Sequence, residues 1–319
     1  MERLLANRDA KDATVKREVL AEAGKSLGRL SSNSLRRRTT RIMGDMARFG
    51  TGTVESRAGY ALGEADLLKV LRVQGDHHAP VDLVSTLLLK REPDREPVEW
   101  VRWLTGHLLS KVRQRRLAKF IDFEYEGNAI PVPLVMRIFY AASELGFGLK
   151  IHSEFESGAS AVPLALRCGT TSIGNVFHIT SDEIQTLANS TTIAVFTPGL
   201  SLQSGLLEFP SCRKMLDAGV IPALATAYHP ELSSGYNMHF TVMLACRLYG
   251  MTPEEAIVAA TINAAYAVGG EAVIGSIECG KQADIQILNI SDYREVAYYS
   301  GVDVVNKMVK RGRVADVDD

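Results

Sequence analysis

An α/β fold, with βα units laid around a parallel sheet, is what the sequence predicts, and three observations predict it. From about Ser34 onward, short apolar runs rich in β-branched residues alternate with helical patterns at intervals of about 30 to 40 residues. Several helical patterns carry recognisable caps at both ends. Finally, 319 residues with 46% hydrophobic and 23% charged side chains can bury a large core, enough for one large or two ordinary domains.

Taken in order, the strand candidates are TGTVES, PVDLVSTLLL, LAKFIDFEY, LGFGLKIHSE, TSIGNVFHIT, TTIAVFTP and VIPALATAY. Seven parallel strands imply either a barrel with one strand missing or an open doubly wound sheet. No G-x-G-x-x-G follows an early strand, so the dinucleotide-binding form of the open sheet has little support. SCRKMLDAGV is a short amphipathic helix that stops at Gly219 and feeds the seventh strand. Thr252, Pro253 and Glu255 supply an N-cap hydroxyl, a first-turn proline and an N3 glutamate, a capping box opening EEAIVAATINAAYAVG, which Gly269 and Gly270 close. After about Gly275 the period changes to two β segments, ADIQILNI and VVNKMVKRGRVAD, expected to form a small separate sheet. These readings divide the chain into 1–274 and 275–319.

Lys plus Arg number 36 against 37 Asp plus Glu, so no global field recommends nucleic acid or an anionic membrane as a partner. The basic clusters Arg36–Arg38 and Arg113–Arg116 lie in helical contexts and read as solvated faces. Cys168, Cys212, Cys246 and Cys279 include no C-x-x-C pair, which argues against a disulfide framework or a zinc knuckle. The charged opening residues lack the apolar stretch of a signal peptide, and no uncharged apolar run reaches 18 residues. A cytoplasmic protein is expected.

GTGTVESRAGYAL, PVDLVSTLL, FIDFEYEG, LKIHSEF, TSDEIQTLA, LDAGVIPALAT, MTPEEAIVAATINAAYAVG and GSIECGKQADIQIL occur in the order found in imidazolonepropionases, the histidine-degradation branch of the amidohydrolase superfamily. The chain resembles that family over nearly all its length. The resemblance implies a (β/α)₈ TIM-type barrel, here incomplete because the first strand is lacking, with a C-terminal remnant of a composite β-sandwich. It also implies hydrolysis of a ring amide by a single bound metal that acidifies a water, with imidazole and carboxylate ligands holding the metal and a general base handling the proton at the C-terminal ends of the strands.

Carried over residue by residue, much of that machinery is replaced. No H-x-H pair is present anywhere in the chain. His152 matches the fifth-strand ligand, and the acid three residues later has become Phe155, with Glu154 beside it. The sixth-strand histidine falls on Val176, with His178 two residues further on the same face, and the eighth-strand aspartate falls on Ala227. Arg91 stands where the family has a substrate-contacting histidine, and His77 and His78 precede the same strand at its opposite end. Tyr60 matches a tyrosine of the substrate pocket, whereas the family's lysine and serine ahead of Gly59 are Arg57 and Ala58. His229, two residues beyond Ala227, points by alternation toward the same mouth.

The resemblance therefore leaves His152 as a vestigial metal position, with no cofactor expected. Metal-dependent hydrolysis is expected to be lost. What remains is a pocket of Tyr60, Arg91, His152 and His229 for a small polar or heterocyclic ligand, or metal-independent chemistry there. The alternatives are an active hydrolase of cyclic amides with a rebuilt zinc or iron site, and a non-catalytic scaffold or regulatory partner. An incomplete barrel and half a sandwich should leave open β edges, so a homodimer or a partner chain covering them is expected.

Overall fold

The computed structural model of the chain describes residues 13–60, 62–91, 95–154, 158–203 and 212–315. Two helices, α1 (Ala13–Arg29) and α2 (Ser32–Arg48), lead into β1 (Thr53–Ala58). The βα alternation then runs through α3 (Glu64–Gln74), β2 (Asp82–Leu89), α4 (Pro97–Trp103), α5 (Leu109–Gln114), β3 (Phe120–Tyr125), α6 (Val132–Glu144) and β4 (Gly148–Ser153). It continues with α7 (Val162–Cys168), β5 (Ser172–Gly174), α8 (Ser181–Ala188), β6 (Ile193–Phe196), α9 (Pro198–Gln203), α10 (Cys212–Asp217) and β7 (Pro222–Leu224). The helices α11 (Met238–Leu248), α12 (Pro253–Ala260) and α13 (Ile262–Ala267) precede a small antiparallel sheet of β8 (Ile285–Leu288), β9 (Val305–Lys310) and β10 (Arg313–Val314).

All seven strands of the large sheet are parallel and pair strictly in chain order, β1 to β7. A doubly wound sheet would reverse its order at a switch point, so the sequential order selects the barrel wall. The wall curls: Tyr60, just past β1, and His229, just past β7, place their rings edge to face at 6.3 Å across the mouth. Among the described residues β1 and β7 remain the two edges.

Alternation sorts the strand residues into two layers. Ala58, Leu87, Leu89, Ile121, Phe123, Leu149, Ile151, Ile173, Ala194 and Phe196 face outward and share the main core with helix residues such as Trp100, Leu104, Ile138 and Phe139. The inner layer is divided. On the β6–β7 side Ile193, Val195, Ile221 and Ala223 pack against Ala264 and Ala267 of α13. On the β1–β4 side the inward positions are mostly charged.

Several predicted elements are shorter than the apolar runs suggested. TSIGNVFHIT keeps only Ser172–Gly174 as strand, because Asn175 takes φ +55°, and VIPALATAY keeps only Pro222–Leu224, with Ala227 at φ +50°. The capping boxes Thr180/Glu183 and Thr252/Glu255 both form, yet the second helix breaks at Thr261, whose ψ of −94° separates α12 from α13. The C-terminal segment makes three strands instead of two, because Arg311 and Gly312 turn the chain at positive φ between β9 and β10. Lys310 and Arg311 bond Asp82 at the start of β2, which anchors the small sheet beneath the N-terminal end of the wall. Among the described residues, no helix is long and apolar enough to cross a membrane.

Candidate functional site

The inward residues of β1 to β4 form a ladder of ion pairs running up to the C-terminal mouth. At its base Glu55 accepts a hydrogen bond from Thr86 Oγ1 at 2.6 Å and pairs with Lys150 Nζ at 2.8 Å. Lys150 is 1% exposed and also lies 4.4 Å from the Phe120 ring centroid. One step higher Arg57 Nη1 pairs with Asp122 Oδ2 at 2.7 Å, and His152 Nδ1 donates to the same oxygen at 3.0 Å. At the top His152 Nε2 faces Glu124 Oε2 at 3.7 Å, an ion-pair separation rather than a hydrogen bond. Lys90 pairs with Glu124, reaches Glu126 at 3.2 Å and stands 5.9 Å from the centre of the Tyr60 ring.

Neighbouring charges decide these ionisation states against burial. Burial pushes the His152 imidazole down, but Asp122 and Glu124 outweigh it and raise its pKa to about 9, so it is an imidazolium at neutral pH. Burial pushes Glu124 up, and the imidazolium and the Lys90 ammonium bring it down to about 2. Burial likewise opposes ionisation of Asp122, which Arg57 and His152 hold well below the usual carboxylate range. Around the ladder, burial and the adjacent carboxylates Glu124 and Asp122 raise the Tyr60 phenol well above its ordinary value. Burial depresses His229, which is therefore neutral, and its Nδ1 accepts from the Glu231 N–H at 3.2 Å.

Tyr60, His152 and His229 therefore meet at one mouth. Arg91 differs: Lys90, in phase with Thr86, is the β2-end cation that enters the mouth, while Arg91 joins none of these ion pairs among the described residues. Arg91 is half-buried and its Nε lacks a hydrogen-bond partner. His178 is exposed on the loop after β5, whereas Val176 is buried. Phe155 lies outside the described residues. Glu55, Lys90, Asp122, Glu124 and Lys150 were not singled out from the sequence, although E-x-R, D-x-E and K-x-H within apolar strands carry their period of two.

The residues present do not fit a catalytic metal. Both ring nitrogens of His152 face carboxylates, an imidazolium has no lone pair to offer, and apolar side chains stand at 176 and 227. Among the described residues no group of three or more His, Cys, Asp or Glu is placed to hold a metal ion.

Comparison with known proteins identifies the lineage. Residues 208–315 match the Amidohydrolase family model. The chain is 33% identical to an imidazolonepropionase of Fusobacterium nucleatum over 312 residues, covering 93% of this chain and 74% of that protein. The chain belongs to the imidazolonepropionase family of amidohydrolases. A family member from Symbiobacterium thermophilum is 36% identical over 84% of this chain, which spans 65% of that relative's length. Among solved structures, a triazine hydrolase variant superposes with a TM-score of 0.73 at 14% identity, covering 95% of this chain and 78% of that one. A zinc-bound adenosine deaminase from Xanthomonas campestris gives 0.70 at 18% identity, covering 90% and 71%. Both likenesses concern the fold, and they agree with the barrel assigned from strand order.

Proposed function

We propose that this chain acts on a small cyclic amide of the imidazolone type at the barrel mouth, opening a ring C–N bond within histidine degradation. The observation that carries this reading is 31 to 36% identity to proteins named imidazolonepropionase, over 84 to 93% of the chain. Tyr60 and His229 border the mouth, and the ion-paired imidazolium of His152 and carboxylate of Glu124 stand at the top of the ladder beside it. Ring opening there would need the imidazolium of His152 to turn one N–H from its carboxylate to the leaving ring nitrogen, with the attacking water giving its proton to Glu124 and His152 reprotonated from solvent. No step is assigned to a metal, because the residues present do not fit one.

A second reading, a pocket that binds the same ligand class without hydrolysing it, is favoured by one specific observation: Val176 and Ala227 stand at two positions where the family resemblance places a metal ligand. Imidazolonepropionate offered to the purified protein separates the two. Loss of the ring's ultraviolet absorbance at a rate proportional to protein concentration supports hydrolysis. Calorimetric binding without that loss supports the second reading, and neither signal overturns both.

A further inference from the structure

We infer that the Lys90 ammonium is the resident cation of the mouth, neutralising Glu124 and Glu126 where a bound divalent ion would otherwise do so, and that the mouth is thereby closed to divalent metals. The inference deepens the proposed function and rests on it only in taking this mouth as the ligand site.

The geometry points this way from each carboxylate in turn. Glu55 is served by Lys150 at 2.8 Å and by Arg57 at 3.4 Å. Asp122 is served by Arg57 at 2.7 Å and His152 at 3.0 Å. Glu124, 5% exposed, has Lys90 on one oxygen and His152 on the other side, and Lys90 extends to Glu126. No carboxylate of the ladder is left without a cation. A divalent ion would have to displace an ammonium or a guanidinium already within pairing distance, and would meet the remaining cations in a low-dielectric interior. Lys90 owes its place to register. Thr86, Leu88 and Lys90 share the inner face of β2, and β3 runs beside β2 with Leu88 opposite Asp122, so Lys90 is carried level with Glu124.

The test uses the full chain and three readouts: metal content by mass spectrometry after dialysis against EDTA and equilibration with zinc, melting temperature with and without zinc, and melting temperature of charge variants. The wild type should retain well under one equivalent of zinc, and its melting temperature should be indifferent to EDTA and to zinc. Lys90→Met should melt about 3–6 °C lower, because it removes one of the two cations serving buried Glu124, and the double variant Lys90→Met/Glu124→Gln should recover at least half of that loss. Stoichiometric zinc in the wild type that disappears in His152→Asn would overturn the inference. So would a double variant no more stable than Lys90→Met. Ring opening is not among these readouts, so absence of turnover bears on the proposed function alone, and bound zinc bears on this inference alone.

Discussion

The charge on His152 is worth measuring through stability, because its direction and its window both follow from the ladder. An imidazole with a folded pKa of about 9, against 6.5 for the free side chain, binds its proton more tightly in the native state. The stability this contributes is fully present below about pH 6.5 and is lost as pH rises through about 9. The difference corresponds to about 3 kcal/mol, or on the order of 5 °C in melting temperature for a chain of this size. Other groups act outside that window. Burial lowers His77, His229 and His239, so their effect falls below about pH 6.5, and burial raises Cys168, Cys212 and Cys246, so theirs begins near pH 9. Urea melts at half-unit intervals from pH 6.5 to 9 should show the decline in the wild type and a flat profile in His152→Gln. A flat wild-type profile, or an undiminished slope in the variant, would refute the assignment of the proton to His152.

Three further outcomes are expected. Ala227→Gly should gain about 0.5–1 kcal/mol in a urea melt, because the residue sits at φ +50° where a Cβ is strained; a loss would mean that the methyl group packs usefully. Gly59→Ala should cost at least about 2 kcal/mol, since the added Cβ would lie 2.1 Å from the Leu88 carbonyl oxygen at the β1–β2 contact beside the mouth. We also propose that β1 and β7, the sheet edges among the described residues, are covered by a second copy or a partner chain; light scattering of the purified protein should report a dimer, and a monodisperse monomer at micromolar concentration would count against self-association.

Most of the wall was legible because its outward residues keep a strict period of two inside apolar runs, and parallel strands separated by helices leave few alternatives. Strand ends were not, because Asn175 and Ala227 leave the β region at positive φ; asparagine tolerates that conformation and gives a weak hint of it, whereas alanine gives none. The helix break at Thr261 was equally silent, since Ala-rich sequence on both sides favours continuation. At the mouth, Tyr60 and His152 stand out through family resemblance, whereas the resemblance points to Arg91 and the ion pairs engage its neighbour Lys90. Choosing between adjacent residues needs the phase of the pleat, which the contact of Thr86 with Glu55 supplies. The ladder itself was hidden for a different reason. Charges at alternate positions of a strand ordinarily mark a solvent face, and only the curling of the whole sheet turns that face inward.

That inversion bears on both register and function. On β3 and β4, Asp122 lies opposite Lys150 and Glu124 opposite His152, so a slip of two residues would keep the inward face inward while setting Asp122 against His152 and stranding Lys150 or Glu124. Hydrophobic alternation alone does not forbid such a slip, whereas an unpaired buried charge costs about 3–5 kcal/mol. The ladder thus selects one register among those the apolar pattern permits. The same balance constrains what the mouth can accept. With each of Glu55, Asp122 and Glu124 already matched by a cation, a neutral group disturbs no ion pair on entering, whereas an added anion would have to compete with those carboxylates for Lys90 or His152.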